Sequence, residues 1–377
     1  MNESTLVAPA IPFLDLGVTN REIKNDVLED VAALIDAGEF INGRAVSEFE
    51  EAFARYCGTT FAVGAASGLD ALRLALLATG IDDGDEVIVP ANTFVATLEA
   101  VTQAGGRPIV VDMSDDDWNM DVARAEAAVS ARTRFIMPVH LYGQLADMRA
   151  LQEIARRHRL ALIEDACQAH GAKRDGVRAG ASGLAAGFSF YPGKNLGAFG
   201  DAGALVTNDE PLAEIARALR EHGQRAKYVH DREGYTARLD TIQALVLLKK
   251  LARLDEWNRE RTMIALQYLH GLAGVGDLEL PPVASYSSSA WHLFVVRTCD
   301  PTRLMDFLRE RGIGAGRHYP VPVHLTGAYA HLGYEVGDFP NAEGHAQRVL
   351  SLPIYPGMSP RQTDAVIAAI RSFFDRG

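Results

Sequence analysis

The sequence predicts an α/β protein: a large domain on a mostly parallel sheet flanked by helices, followed by a smaller α+β domain. Three observations carry this. Six short apolar runs, residues 86–89, 108–111, 135–139, 160–163, 186–190 and 204–207, have the length of strands buried on both faces. Helical stretches separate them, and residues 147–158, with Met148, Leu151, Ile154 and Ala155 along one side, are long enough to cross from one parallel strand to the next. After Asp240 a helical pattern without Gly or Pro runs into a Gly- and Pro-bearing segment, residues 271–283, a composition that separates two units.

Taken in chain order, residues 47–56 place Ser47 and Glu50 at capping-box spacing, with Phe49, Ala52, Phe53 and Tyr56 recurring as one apolar face of a helix. A second helix is expected over 68–78, where Leu69, Leu72 and Leu76 line one side. The helical pattern that begins after Asp240 reads as a single long helix, and the boundary is drawn within it. Residues 1–255, including the N-terminal segment, form the large domain and residues 256–377 the small one. In the latter, 290–298 reads as a strand, 301–311 as a helix and 363–375 as a terminal helix.

Composition narrows the function. At 377 residues and 48% hydrophobic the chain can bury a large core, and no apolar stretch is long enough to span a bilayer. The net charge of −12 and the lack of a Lys/Arg-rich run argue against a nucleic-acid surface. Anionic substrates would therefore need local positive groups. Cys57, Cys167 and Cys299 lie too far apart for a disulfide framework or a metal-ligand motif. The opening residues, MNESTLVAPAIPFLDLG, show no basic leader with an apolar core, so a cytoplasmic protein is expected.

Chemistry in α/β folds gathers at the carboxyl ends of strands. Two segments follow apolar runs in that way: IEDACQAHG at 163–171, with Glu164, Asp165, Gln168 and His170, and GFSFYPGKNLGAFGDAGA at 187–204, with Ser189 and Lys194. A lysine in a glycine-flanked turn beside aromatics can be desolvated, which frees its amine for a Schiff base. An aspartate ending a neighbouring strand can hold a pyridine nitrogen protonated. Lys194 and Asp165 fit these roles, although alone each also describes an ordinary loop lysine and a helix cap. His170 reads as a satisfied structural histidine and Cys167 as a small buried side chain.

Two phosphate motifs fail. GFSFYPGKN has five residues between Gly187 and Gly193 and ends in Asn195 rather than Ser or Thr, so it is no P-loop. GIGAG at 312–316 follows a helix and lacks the last glycine of a dinucleotide fingerprint, so it reads as a helix stop and turn. Ser67 and Gly68, ahead of the helix at 68–78, are either an anion site at a helix N-terminus or a plain cap.

In order, the blocks GDEVIVPANTFVAT, PVHLYGQLADM, IEDACQAHGA, FSFYPGKNLGAFGDAGA, LREHG, RLDTIQA and HYPVPVH resemble the DegT/DnrJ/EryC1/StrS family of nucleotide-sugar aminotransferases. The resemblance runs from IPFLDLG at Ile11 to LSLPIYPGMS at Leu350. It implies the aspartate-aminotransferase-like fold type I and a pyridoxal 5′-phosphate cofactor that cycles through its pyridoxamine form. By position it implies Lys194 as the Schiff-base lysine, Asp165 as the pyridinium partner and Gln168 as a donor near the ring hydroxyl. Phe94 would stack on the ring, and Ser67, Gly68, Leu69 and Ser189 would surround the phosphate.

Thr236 stands where the family has Asn in G-x-N-x-R, a residue that in relatives reaches a phosphate across a dimer interface. The segment 312–324, with Arg317, His318, Tyr319 and His324, resembles the loop that covers sugar and nucleotide. The resemblance further implies a homodimer with shared active sites, glutamate as amino donor and a dTDP-linked 3-keto-6-deoxyhexose as acceptor. C4, UDP-sugar and cyclitol aminotransferases share the cofactor residues. A sugar dehydrase is disfavoured by Lys194, and a non-catalytic regulator on the same fold is the remaining alternative.

Overall fold

The computed structural model describes residues 10–284 and 287–375; residues 1–9, part of the segment read as lacking a leader, lie outside the described residues. A seven-stranded sheet organises the chain, in the order Phe61–Ala65, Gly203–Thr207, Ala185–Ser189, Ala161–Asp165, Thr133–Ile136, Glu86–Pro90, Arg107–Val111. The last five run parallel to one another, and Gly203–Thr207 is antiparallel to both strands that flank it. All six expected strands are present. The seventh, Phe61–Ala65, was not anticipated because FAVGA has two small alanines and a glycine and little β-propensity of its own.

Strand alternation buries both faces. Val87, Val89, Ile163 and Leu205 point into one apolar cluster with Leu72 and Leu76 of the helix Gly68–Ala78. Ile88, Ile136 and Leu162 pack on the other face against Leu151 and Ile154 of the helix Met148–His158, the expected crossover. Farther along that face, Phe188 and Val206 pack with Phe49 and Phe53 of the helix Arg44–Cys57.

That helix corrects the expected capping box. It begins at Arg44 with Gly43 as its cap, and Ser47 is already inside it, its hydroxyl donating to Arg44 O. Glu50 is buried and instead accepts from Gly64 N at 2.8 Å and from the Arg220 guanidinium. A second correction concerns the long helix. It breaks at Ala252–Arg253 into Thr241–Leu251 and Leu254–Leu272. No local breaker causes this. The first helix packs Ala244 and Leu247 into the sheet-side core, whereas Ile264, Tyr268 and Leu272 of the second belong to the C-terminal core, and one straight rod would not serve both.

The C-terminal region pairs Phe294–Arg297 with Val349–Leu352, antiparallel, beneath the helices Pro301–Glu310 and Pro360–Phe374. Gly312, with φ +69°, ends the first of these helices as the sequence suggests. Ile11 bridges Ile313 and packs in the same core as Phe294 and Leu350, whereas Ile23 and Val27 of the helix Leu16–Ala37 pack on Val246 of the large domain, so the N-terminal segment spans both layers.

Candidate active site

Asp165 and Ser189 end two adjacent parallel strands, Ala161–Asp165 and Ala185–Ser189, with Asp165 in register with Gly187. The side chains that follow these ends therefore converge at the carboxyl edge of the sheet. A cavity of about 500 Å³ opens there. Ser67, Gly68, Leu69, Phe94, Asp165, Gln168, Ser189, Lys194, His318 and Tyr319 all line it.

Lys194 sits on a turn whose N–H donates to Tyr191 O at 2.8 Å. Burial draws its ammonium pKa below the ordinary lysine value, against the opposing pull of Cys167 and Asp165. The turn is pinned by its neighbour: Asn195 Nδ2 donates to Ala290 O at 2.7 Å and to Asn258 Oδ1 at 2.9 Å. Asp165, 5% exposed, accepts from Thr97 Oγ1 at 2.7 Å and from Cys167 N at 3.1 Å. Gln168 accepts from Tyr142 N at 2.8 Å and donates to Tyr319 Oη at 3.2 Å, while Phe94 lies 5.4 Å from the Tyr319 ring.

At the other end, Ser67 caps the helix Gly68–Ala78, its hydroxyl accepting from Asp70 N at 3.0 Å. The helix thus has its side-chain cap, and its first residues Gly68 and Leu69, whose N–H groups have no partner within the helix, line the cavity. A Cβ on Gly68 would stand 2.5 Å from Ser189 Cβ and 2.8 Å from Cys167 Sγ, so only glycine leaves this cradle open. A cradle of backbone donors, an amine of lowered pKa and a buried carboxylate in one cavity match the phosphate, carbonyl carbon and ring nitrogen of pyridoxal phosphate.

Three expected residues are placed elsewhere. Arg317 spends its guanidinium on the carbonyls of Ala346, Gln347 and Val349, and His324 is buried against Glu343 at 3.2 Å; neither lines the cavity. Thr236 is exposed outside it, paired with His222 Nε2 at 3.2 Å. His170 differs from its expected satisfied state. Its ring packs near Phe188 and Phe190 with neither nitrogen hydrogen-bonded by the protein, and burial pushes its pKa down to about 3. Cys167 lines the cavity, half-buried, with its thiol pKa raised well above the usual range by burial.

Of the lining residues, His292 and Thr97 escaped the sequence reading, whereas His318 was expected. His292 lines the cavity and donates from Nδ1 to Asn195 Oδ1 at 3.1 Å. His318 is held by Ser351 Oγ at 2.8 Å and stacked 5.5 Å from Phe13, with burial lowering its pKa to about 4. Thr97 had only a faint signal, a hydroxyl four residues from that of Thr93. Its partner Asp165 is 68 positions away, beyond any local pattern.

A protein-family model described as the DegT/DnrJ/EryC1/StrS aminotransferase family matches residues 21–371. A dTDP-3-amino-3,4,6-trideoxy-alpha-D-glucose transaminase of Streptomyces venezuelae is 48% identical over 368 residues, which cover 98% of this chain and 97% of that protein. The erythromycin biosynthesis sensory transduction protein EryC1 of Saccharopolyspora erythraea is 47% identical over 362 residues, 96% of this chain and 99% of that one. Among solved structures, S. venezuelae DesV in complex with a ketimine intermediate superposes with a TM-score of 0.96 at 48% identity, covering 98% of this chain and 100% of that chain.

Proposed function

The chain belongs to the DegT/DnrJ/EryC1/StrS aminotransferase family and is a pyridoxal-phosphate-dependent sugar aminotransferase, and we propose that it moves the amino group of glutamate onto C3 of a dTDP-linked 3-keto-6-deoxyhexose. The observation that carries the site assignment is that Lys194 and Asp165 line one cavity, the amine with a lowered pKa and the carboxylate held by two donors. The choice of dTDP and C3 is supported by the transaminase relative at 48% identity.

Pyridoxal phosphate, when bound, supplies an electron sink and a carbonyl carbon that carries the amino group between donor and acceptor. Ser67, Gly68, Leu69 and Ser189 would hold its phosphate, Phe94 would cover a ring face and Gln168 would donate to the ring hydroxyl. Asp165 would hold a proton at the ring nitrogen. Lys194, more readily neutral than an exposed lysine, would serve first as the nucleophile that tethers the cofactor. Freed by the donor, its Nζ would carry a proton from Cα of glutamate to the cofactor's carbonyl carbon and, in the second half-reaction, from that carbon to C3 of the sugar. Tyr319 and His318, the two cavity-lining members of the C-terminal loop, would meet the sugar.

A homodimer is part of the same proposal. Among the described residues Lys194 is the only lysine or arginine lining the cavity, which also carries Glu99, Asp165 and Asp201. A dicarboxylic donor and a diphosphate acceptor need further cations, which a partner subunit would supply. Phe40, Ile41, Phe199 and Ile242 form exposed apolar surface near one another, joined by hydrogen bonds from Thr241 N to Phe40 O and from Phe199 N to Gln243 Oε1. In such a dimer Thr236 would serve the partner's cofactor. Among the described residues no helix is long and apolar enough to cross a membrane, and a cytoplasmic setting is proposed with the biosynthetic role.

A regulatory reading has the names of two relatives behind it, EryC1 and a pleiotropic regulatory protein of Geobacillus stearothermophilus, but a regulator has no need of a desolvated lysine facing a carboxylate. The test is incubation of the holoenzyme with glutamate and a dTDP-3-keto-6-deoxyhexose, followed by mass spectrometry. Stoichiometric 2-oxoglutarate and 3-amino sugar support the proposal. Turnover only with a UDP-linked or 4-keto sugar moves it to another substrate, and no turnover with any keto-sugar favours the regulator.

A further inference from the structure

The segment 93–97 meets the cavity on two sides. Phe94 is its exposed aromatic, while Thr93 and Thr97 are turned inward, 2% and 1% exposed. Thr97 Oγ1 lies 2.7 Å from Asp165 Oδ2 and 2.8 Å from Thr93 Oγ1. An ionised carboxylate only accepts, so the one hydroxyl proton of Thr97 goes to Asp165, and the proton of Thr93 must then point at Thr97. The pair forms a donor chain with one direction, toward a charged carboxylate. Thr97 also stands in the first turn of the helix Ala96–Gln103, whose positive end favours an anion.

We propose that Thr97, itself held by Thr93, is a positioning residue that keeps the carboxylate of Asp165 turned to the cavity, and thereby sets how tightly the chain holds pyridoxal phosphate. The inference rests on the cofactor-binding reading above. Asp165 also feels Lys194 from the turn after Ala185–Ser189, Tyr319 from the C-terminal loop and Cys167 from its own segment. Burial raises the pKa of both Tyr319 and Cys167 and lowers that of Lys194.

The experiment measures the Kd of the apoprotein for pyridoxal phosphate, by quenching of tryptophan fluorescence. Thr97→Val keeps the shape and removes the donor. Its affinity is expected to fall about 10- to 100-fold, the loss of a hydrogen bond to a charged group. Thr97→Ser restores the wild-type affinity, and Thr93→Val weakens binding by less and carries the test if Thr97→Val does not fold. Thr97→Val with wild-type affinity, or Thr97→Ser as weak as Thr97→Val, reduces Thr97 to packing and overturns the inference while the cofactor reading stands. A wild type that binds no pyridoxal phosphate overturns both.

Discussion

The side chain of Asn195, the residue after Lys194, accepts a hydrogen bond from His292 Nδ1 at 3.1 Å and so ties the lysine turn to the C-terminal layer. Its amide nitrogen is engaged as well, by Ala290 O and Asn258 Oδ1. Asn195→Leu would leave these groups without partners, at a cost of about 1–3 kcal/mol. The lysine would lose its fixed position. We expect a lower unfolding midpoint in urea and slower uptake of pyridoxal phosphate; unchanged values for both would mean the amide is incidental.

Gly68 leads to a prediction about both folding and binding. A methyl group there collides with Ser189 and Cys167 at a buried site. Gly68→Ala should therefore cost the apoprotein about 1–3 kcal/mol of overpacking, and its Kd for pyridoxal phosphate should rise at least about 10-fold because the cradle is closed. Equal affinity would remove the phosphate from this cradle.

Glu164, one position before Asp165, has a structural task. Its carboxylate accepts from His140 Nε2 at 2.8 Å and from the N–H groups of Gly180, Ser182 and Gly183, which together hold its pKa down despite full burial. Since His140 Nδ1 accepts from Ala146 N, the ring is the neutral Nε2–H tautomer. Glu164→Ala strands these donors and is expected to cost about 3–5 kcal/mol in chemical denaturation. Loss of under about 1 kcal/mol would show that water replaces the carboxylate.

Acid should destabilise the protein through its buried histidines. His170 and His345 are pushed down to about 3 and His318 to about 4, all primarily by burial. Below the ordinary histidine pKa of about 6.5 the unfolded chain takes up protons that the folded rings refuse, so stability falls as pH drops toward those values. The slope is about 1.4 kcal/mol per pH unit for each ring. His170→Phe, which suits the contacts with Phe188 and Phe190, should make the decline between neutral and acid pH shallower. An unaltered slope in unfolding measurements at both pH values would exclude His170 as a contributor.

The sheet was legible because its strands are buried on both faces and spell themselves as apolar runs, with Ile88 and Val89 serving opposite cores. Lys194 and Asp165 were legible for a related reason: both follow such runs, where the fold gathers polar groups. The break between Leu251 and Leu254 was hidden because two cores compete for one helix and no residue marks the division. Arg317 and His324 looked like ligand groups by type, yet their fate is decided by carbonyls of Ala346 and Gln347 and by Glu343, contacts formed only when the C-terminal loop closes on its helix. Thr97 carried only a faint signal for the same cause, its meaning lying in a partner brought near by the sheet.

The central claim, that Lys194 carries the cofactor, is tested most directly by reducing the pyridoxal-phosphate-loaded protein with borohydride and mapping the modified peptide by mass spectrometry. The account requires the phosphopyridoxyl mass on Lys194 and none in Lys194→Ala. Labelling of another lysine, such as the buried Lys250 whose pKa burial lowers to about 8, or no labelling of a protein that has bound the cofactor, would contradict it.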